Sequence, residues 1–492
     1  MPREVIRSLL ILVGSLGLLW GATACSSTSP TADLPELYNQ SAQDHGIDRN
    51  PVILIPGILG SRLKDSVTDT LVWGAFTGEY ANPRDPAGAR MASLPMEEGV
   101  SLADLHDEVY PDGALREVRT RFLGLPIQLD AYVDILRTLG IGGYQEADGA
   151  LGEIDYGEDH FTCFQFDYDW RRDNVENARR LHAFIQETRA YLQREYKSRF
   201  GVEDYDIKFD IVAHSMGGLL TRYFLRYGDE DLPADGSTPD VTWAGAEHVE
   251  RVILVGTPNA GSAQAVWDLV HGKKTSPITP TYPAALIGTF PSLYQLMPRD
   301  RHGALVDAAN PDRAVSGLYD ADFWIDNQWG LADPGQRDVL ATLLPDVENA
   351  ATRYRIAVEH LKKSLNRAEQ FNRAIDEPAS RPTGLDLQLM AGDAEQTLAQ
   401  LSFEEETGEL LKYSEAAGDG TVLRTSALMD ERVGAQWTSF LNSPIDWSHV
   451  TFFFAGHVDM TSDPSFTDNL LYQLLMHPRE YDPRAETTIP GL

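Results

Sequence analysis

Apolar and polar positions alternate between short unbroken apolar runs and longer segments striped at helical spacing. Val52 to Ile55 is an apolar run bounded by prolines, consistent with a strand buried on both faces. Leu129, Tyr132, Val133, Leu136 and Leu139 recur at helical spacing, and Phe161 to Phe166 reads as another strand. Leu181, Ile185, Thr188 and Leu192 mark one face of a long helix, and Asp173 with Glu176 three residues on resembles a capping box at its start. The run Ile207 to Ala213 stops at His214-Ser215, and Leu219, Leu220 and Phe224 then resume at helical spacing. That is strand, sharp turn and helix.

Further strands are expected at Arg251–Gly256, Leu385–Met390 and Thr451–Phe454, and a helix at Phe466–Met476. Tyr354, Val358, Leu361, Leu365 and Ala368 stripe a long helix within about 346–376. Strands alternating with helices imply a parallel sheet with right-handed crossovers, an α/β fold. Two stretches resist this reading. Residues 64–120 are polar and irregular, and read as an excursion from the core without a strand. Thr275 to Pro298 is apolar but has no clean period, which suits either a lid over a greasy cleft or an irregular buried cap.

Composition narrows the class. The chain has 492 residues and a formal net charge of −33. Such an acidic surface repels nucleic acid and gains little from anionic lipid. The N-terminus reads as a targeting segment. Arg3 and Arg7 precede an apolar run, Leu9 to Trp20, and then small residues lead to Cys25. Cys25 after Ala24 resembles a bacterial lipoprotein box, although Ala22 stands where leucine is usual. Residues 1–24 are therefore expected to be a signal peptide and 25–49 a lipidated tether, with residues 481–492 a C-terminal tail. The expected location is the cell envelope, as an outer-membrane lipoprotein anchored through Cys25, or the secreted fraction. In a Gram-negative host, Ser26 favours the outer membrane. Cys163 is then the one cysteine left, in an apolar run, and is expected to be buried and inert. Scattered histidines without CxxC or HExxH point to no metal and no other cofactor.

The chemistry concentrates at the turn. Ala213-His214-Ser215-Met216-Gly217 departs from G-x-S-x-G only in its first residue. Such an elbow lifts a serine clear of the sheet on a strained backbone. Gly217 and Gly218 would let the new helix pack against the strand. Asp419 lies between two glycines, and His457 sits in Ala455-Gly-His-Val458, before the last helix. His449 is a rival, but it opens a strand-like run, so His457 is preferred. Ser215, Asp419 and His457 then follow the chain order of α/β hydrolases. A serine hydroxyl needs a neutral imidazole to take its proton, and a carboxylate to orient that imidazole. The loop after Val52–Ile55 would supply Ile58 N–H, and the residue after the serine Met216 N–H, as an oxyanion hole. Each motif is weak alone; their common order is what gives them weight.

The sequence resembles the lecithin:cholesterol acyltransferase family, which includes lysosomal phospholipase A. The resemblance rests on the stretches Pro51–Ser61, Tyr168–Arg171, Ala213–Gly217, Ser292–Pro298, Gly418–Val422 and on His457. It implies an α/β-hydrolase fold over about 50–480, with insertions at about 61–120 and 263–380. It implies Ser215, Asp419 and His457 as the catalytic triad and Ile58 and Met216 as oxyanion donors. It further implies a membrane-binding excursion near 61–90 and a lid over 263–298. Lys64 stands where many members carry a glutamate, and no cysteine pair occurs in 61–90, so animal-style lipoprotein recognition is not implied.

The resulting expectation is a serine esterase working on lipid acyl esters at a lipid or membrane interface, with water or an alcohol as acceptor. Two alternatives stand beside it: a non-catalytic envelope lipoprotein that keeps the hydrolase fold, and an esterase for soluble esters. The sequence leaves headgroup, acyl position and oligomeric state open.

Overall fold

The computed structural model describes residues 42–43, 46–75, 79–115, 117–122, 125–130, 132–147, 161–274, 280–433 and 438–476. The expected signal peptide, Cys25, most of the tether, residues 275–279 and the C-terminal tail lie outside the described residues.

Six strands form the central sheet: β1 (Val52–Ile55), β2 (Cys163–Gln165), β3 (Phe209–His214), β4 (Val249–Val255), β5 (Asp386–Gly392) and β6 (His449–Phe453). Their spatial order is β2-β1-β3-β4-β5-β6, and every pairing is parallel. The unbroken apolar runs follow from this arrangement. Successive side chains point to opposite faces, and both faces are covered. Val52 and Leu54 pack with Ile135, Leu139, Phe466 and Leu470 on one side. Ile53 and Ile55 pack with Leu181, Leu219 and Phe224 on the other. The helices concerned are α1 (Val133–Ile141) and α5 (Pro464–Leu471) on the first face, and α2 (Asn174–Phe200) and α3 (Met216–Tyr227) on the second. This is the α/β-hydrolase architecture. No helix among the described residues is long and apolar enough to cross a membrane.

Local signals hold with small shifts. Asp173 caps α2 by accepting Val175 N–H, but Glu176 turns to Arg172 and Arg180 instead of closing the box. The helix expected from Leu129 begins at Val133, because Leu125–Asp130 is a strand paired with Glu117–Phe122. Cys163 is buried.

Residues 64–120 need a larger correction. Ser61–Asp65, Leu71–Trp73 and Val109–Ala114 form an antiparallel three-stranded sheet, so the excursion is structured. Its strands are short, and two of the three buried positions of the first, Ser61 and Asp65, are themselves polar, which hid the alternation. A long hairpin, Glu395–Glu404 with Glu409–Gly418, is likewise inserted after β5.

The apolar segment before Pro298 is a buried cap where it is described. Ala284–Ile287 and Pro291–Gln295 are short helices whose side chains join the main core. The long helix α4 (Ala350–Asp376) lies against the second of them, with Leu361, Leu365 and Ala368 buried and Tyr354 at its exposed end. Its C-terminal end is gripped by α3. Arg222, Arg226 and Tyr227 donate to the main-chain oxygens of Ile375, Glu377 and Ala374. Cationic and hydroxyl donors there satisfy carbonyls that the helix leaves open.

Candidate active site

Ser215 stands at the turn between β3 and α3 with φ 53° and ψ −125°. That backbone is costly for a residue with a Cβ, and it is held by its surroundings. Ser215 N–H donates to Val255 O at 2.7 Å, and Ser215 O accepts from Gly218 N–H at 3.0 Å. The two following glycines are required by contact. A Cβ on Gly217 would come within 2.4 Å of Pro56 O, and one on Gly218 within 2.0 Å of Thr257 Oγ1. Ala213, the departure from the usual pattern, is fully buried and accommodated in the sheet.

The structure brings the three distant side chains together. His457 Nε2 lies 3.1 Å from Ser215 Oγ, and His457 Nδ1 lies 2.8 Å from Asp419 Oδ2. His457 N–H also donates to Asp419 O at 2.8 Å, which ties the two loops by their main chains. Asp419 follows the inserted hairpin, in a turn where its Oδ1 accepts Thr421 N–H and Val422 N–H. Oδ2 is therefore left for the imidazole. Burial by itself would raise the Asp419 pKa, but His457 and the two N–H donors outweigh it and hold the carboxyl below its ordinary value. An ionised carboxylate accepts, so Nδ1 carries the ring proton and Nε2 offers its lone pair to the serine hydroxyl. His449 is exposed at the N-terminal end of β6, level in the sheet register with Val212, three residues short of Ser215.

The other two sequence-derived positions frame the serine. Met216 is the first residue of α3, and Ile58 lies in the turn after β1. Among the described residues, neither main-chain N–H has a hydrogen-bond acceptor. Gly57, next to Ile58, approaches the serine so closely that a Cβ there would sit 2.7 Å from Ser215 Cβ. The turn is braced from outside. Tyr168 O–H donates to Pro56 O, Trp170 Nε1–H to Ser61 O, and Trp73 Nε1–H to Leu59 O. The Tyr168–Arg171 motif thus acts on the Pro56–Ser61 loop directly. Arg171, wholly buried, forks onto Asp169 and reaches Asp107 and Ser93 O.

An apolar cavity opens beside this turn, lined by Ile58, Leu63, Trp73, Trp170, Phe290 and Leu293 among others. No group of three or more His, Cys, Asp or Glu side chains suited to a metal occurs among the described residues. Two buried residues near the serine were not singled out by sequence reasoning. His214, inside the pentapeptide, bonds through Nδ1 to the Tyr132 hydroxyl at 2.9 Å and through Nε2 to His457 O at 3.2 Å. Tyr132 fits the helix stripe of Leu129–Leu139, and nothing in its local pattern distinguishes it.

Comparison with known proteins agrees with the motifs. The lecithin:cholesterol acyltransferase family model matches residues 139–322, so the resemblance holds over a stretch that includes Tyr168–Arg171 and Ser215. The match supports an acyl-ester hydrolase or acyltransferase as the class of activity. No curated protein matches the chain. Among solved structures, a chain of the Tle4–Tli4 complex is similar, with 16% identity and a TM-score of 0.51, over 88% of this chain and 99% of that one. At that identity the likeness speaks for the fold alone. Lipase 1 from Pelosinus fermentans aligns at 13% identity over 87% of this chain and 98% of its own, with a TM-score of 0.31, a superposition too loose to add to the fold.

Proposed function

We propose that the chain is a serine esterase acting on lipid acyl esters through an acyl-enzyme at Ser215. The observation that carries this reading is the imidazole of His457, within hydrogen-bond reach of Ser215 Oγ on one side and Asp419 on the other. His457 Nε2 takes the hydroxyl proton as Ser215 Oγ attacks the ester carbonyl carbon. Asp419 keeps the ring oriented and stabilises the imidazolium. The carbonyl oxygen, now negative, accepts from Ile58 N–H and Met216 N–H, donors without another partner among the described residues. Collapse breaks the ester C–O bond, and the departing alcohol takes the proton from His457. Water, or a second alcohol, then enters by the same steps in reverse and frees the serine. The first acceptor gives lipase or phospholipase activity, the second acyl transfer.

The cavity at Ile58 has almost wholly apolar walls but is narrow, so it suits a short stretch of an acyl chain, not a whole one. The sequence of residues 1–30 supports an exported, lipid-anchored enzyme of the cell envelope. The test is fluorophosphonate labelling of the folded protein, with mass spectrometry of products from a mixed lipid extract. An adduct at Ser215 is expected, together with ester turnover lost in Ser215→Ala and reduced roughly 10³–10⁴-fold in Asp419→Asn. Equal turnover by wild type and Ser215→Ala would favour a binding module instead.

A further inference from the structure

Tyr132 and His214 lie against the site, yet the steps above assign neither a proton to carry nor a charge to hold. Both are buried, Tyr132 at the turn before α1 and His214 as the last residue of β3. Tyr132 Oη lies 2.7 Å from Gly57 N and 2.9 Å from His214 Nδ1. On the other side of the ring, His214 Nε2 is 3.2 Å from His457 O.

The hydrogens in this chain can run in only one direction. A carbonyl accepts and never donates, so His214 Nε2 bears a proton. Nδ1 then accepts Tyr132 O–H, and the tyrosine oxygen accepts Gly57 N–H. Every group is satisfied only while His214 is neutral. Burial, and next the facing His457 ring, push its pKa down to about 3, which keeps it so. A second proton at Nδ1 would leave the tyrosine hydroxyl without its acceptor.

The two ends of this chain are the interesting part. Gly57 adjoins the N–H of Ile58, and the other end is the main chain of the proposed base. Their strands, β1 and β6, have three others between them in the sheet. Four spacings of about 4.8 Å put those strand axes roughly 19 Å apart. Nothing in the sheet hydrogen bonds sets one loop directly against the other. We propose that Tyr132 and His214 are positioning residues that hold the Gly57–Ile58 turn and the His457 loop in register across Ser215. Oxyanion donor and base are then aimed at one ester group. The inference rests on the proposed roles of Ser215 and His457. An error of about 1 Å in such an arrangement costs on the order of a hundredfold in rate.

The test compares Tyr132→Phe, His214→Leu and His214→Gln in the full chain, using a soluble short-chain ester and the rate of fluorophosphonate labelling. A glutamine amide offers one acceptor and one donor at a spacing similar to the two ring nitrogens. The expected result is a kcat lowered roughly tenfold to a hundredfold in Tyr132→Phe and His214→Leu. KM should stay within about twofold, and His214→Gln should recover most of the loss. Labelling should slow in parallel with kcat. Wild-type kcat in folded Tyr132→Phe overturns the proposal, as does a folded His214→Gln no better than His214→Leu. Should His214→Leu not fold, Tyr132→Phe removes one oxygen only and carries the test. If the wild type itself takes no label at Ser215, the reading of the site fails first, and the positioning role with it.

Discussion

Gly57 and Ser215 face each other with no room for a methyl group between them: a Cβ built on Gly57 would stand 2.7 Å from Ser215 Cβ. Gly57 does not have a positive φ, so the backbone tolerates alanine and the obstacle is the serine itself. Gly57→Ala must push the turn carrying Ile58 away from the nucleophile. We expect ester turnover to fall about a hundredfold, with the chain still folded. Gly140→Ala is the control, since a Cβ there meets nothing within 4 Å. Equal turnover in the two variants would count against Ile58 as an oxyanion donor.

Trp73 joins the loop and the cavity. Its ring stands edge-on to Trp170 and tilted against Tyr282, while its Nε1–H holds Leu59 O at 2.8 Å. The two roles separate by substitution. Trp73→Ala empties part of the cavity wall, and the ratio of kcat/KM for long-chain over short-chain esters is expected to rise roughly tenfold. Trp73→Phe keeps a ring but drops the N–H, so it should lower kcat while leaving the chain-length ratio within about twofold. A ladder of acyl-chain lengths measures both. An unchanged ratio in Trp73→Ala would remove the cavity from the acyl path.

Arg171 is a different kind of position, buried completely and far more a strut than a reagent. Its planar fork meets both oxygens of Asp169 at 2.9 and 2.7 Å, and also reaches Asp107 at 2.6 Å and Ser93 O at 3.0 Å. One ammonium cannot replace these directions. Arg171→Lys leaves buried carboxylate and carbonyl oxygens short of donors. A loss of about 3–5 kcal/mol in unfolding free energy is expected from urea titration. A change below about 1 kcal/mol would mean that Asp169 and Asp107 are solvated in a way their burial does not suggest.

These residues also show what could be read from the chain and what could not. β1 was legible because burial on both faces makes Val52 to Ile55 apolar throughout, and the prolines around it mark its ends. Ser215 was legible because a strand, a small-residue turn and a helix follow each other locally. Asp419 and His457 were placed by chain order and by loops, without any local sign that they meet. The sheet of Ser61–Asp65 was missed because two of that strand's inward positions hold the polar Ser61 and Asp65 and its partners are only three to six residues long. The hairpin at 395–418 escaped for the related reason that much of its outer strand is exposed. Tyr132 escaped on other grounds. Its partners are 75 and 82 residues away, and helical spacing accounts for it equally well.

His360 gives the fold a pH dependence that can be isolated from the active site. It lies on α4, 1% exposed, with Nε2–H donating to Thr289 O at 3.1 Å. Its Nδ1 is buried without a partner among the described residues. A proton there would be unsatisfied, and burial moves the pKa down to about 4. Between that value and the ordinary 6.5 or so of an unfolded histidine, the unfolded chain binds a proton that the folded chain refuses. Stability is therefore complete above about pH 6.5 and falls as the pH drops towards 4, by up to about 1.4 kcal/mol per unit. His214 titrates with the same sign, whereas Asp210, pushed up to about 6 chiefly by burial, titrates with the opposite one. Absolute stability thus mixes several groups, but the difference between wild type and His360→Gln isolates one. Glutamine can still donate to Thr289 O and does not ionise. Urea titrations from pH 7 to pH 4 should show wild type losing roughly 3 kcal/mol relative to the variant. A difference that stays flat across that range would show that His360 accepts its proton in the folded state, and that the cap around α4 opens to water more readily than its packing implies.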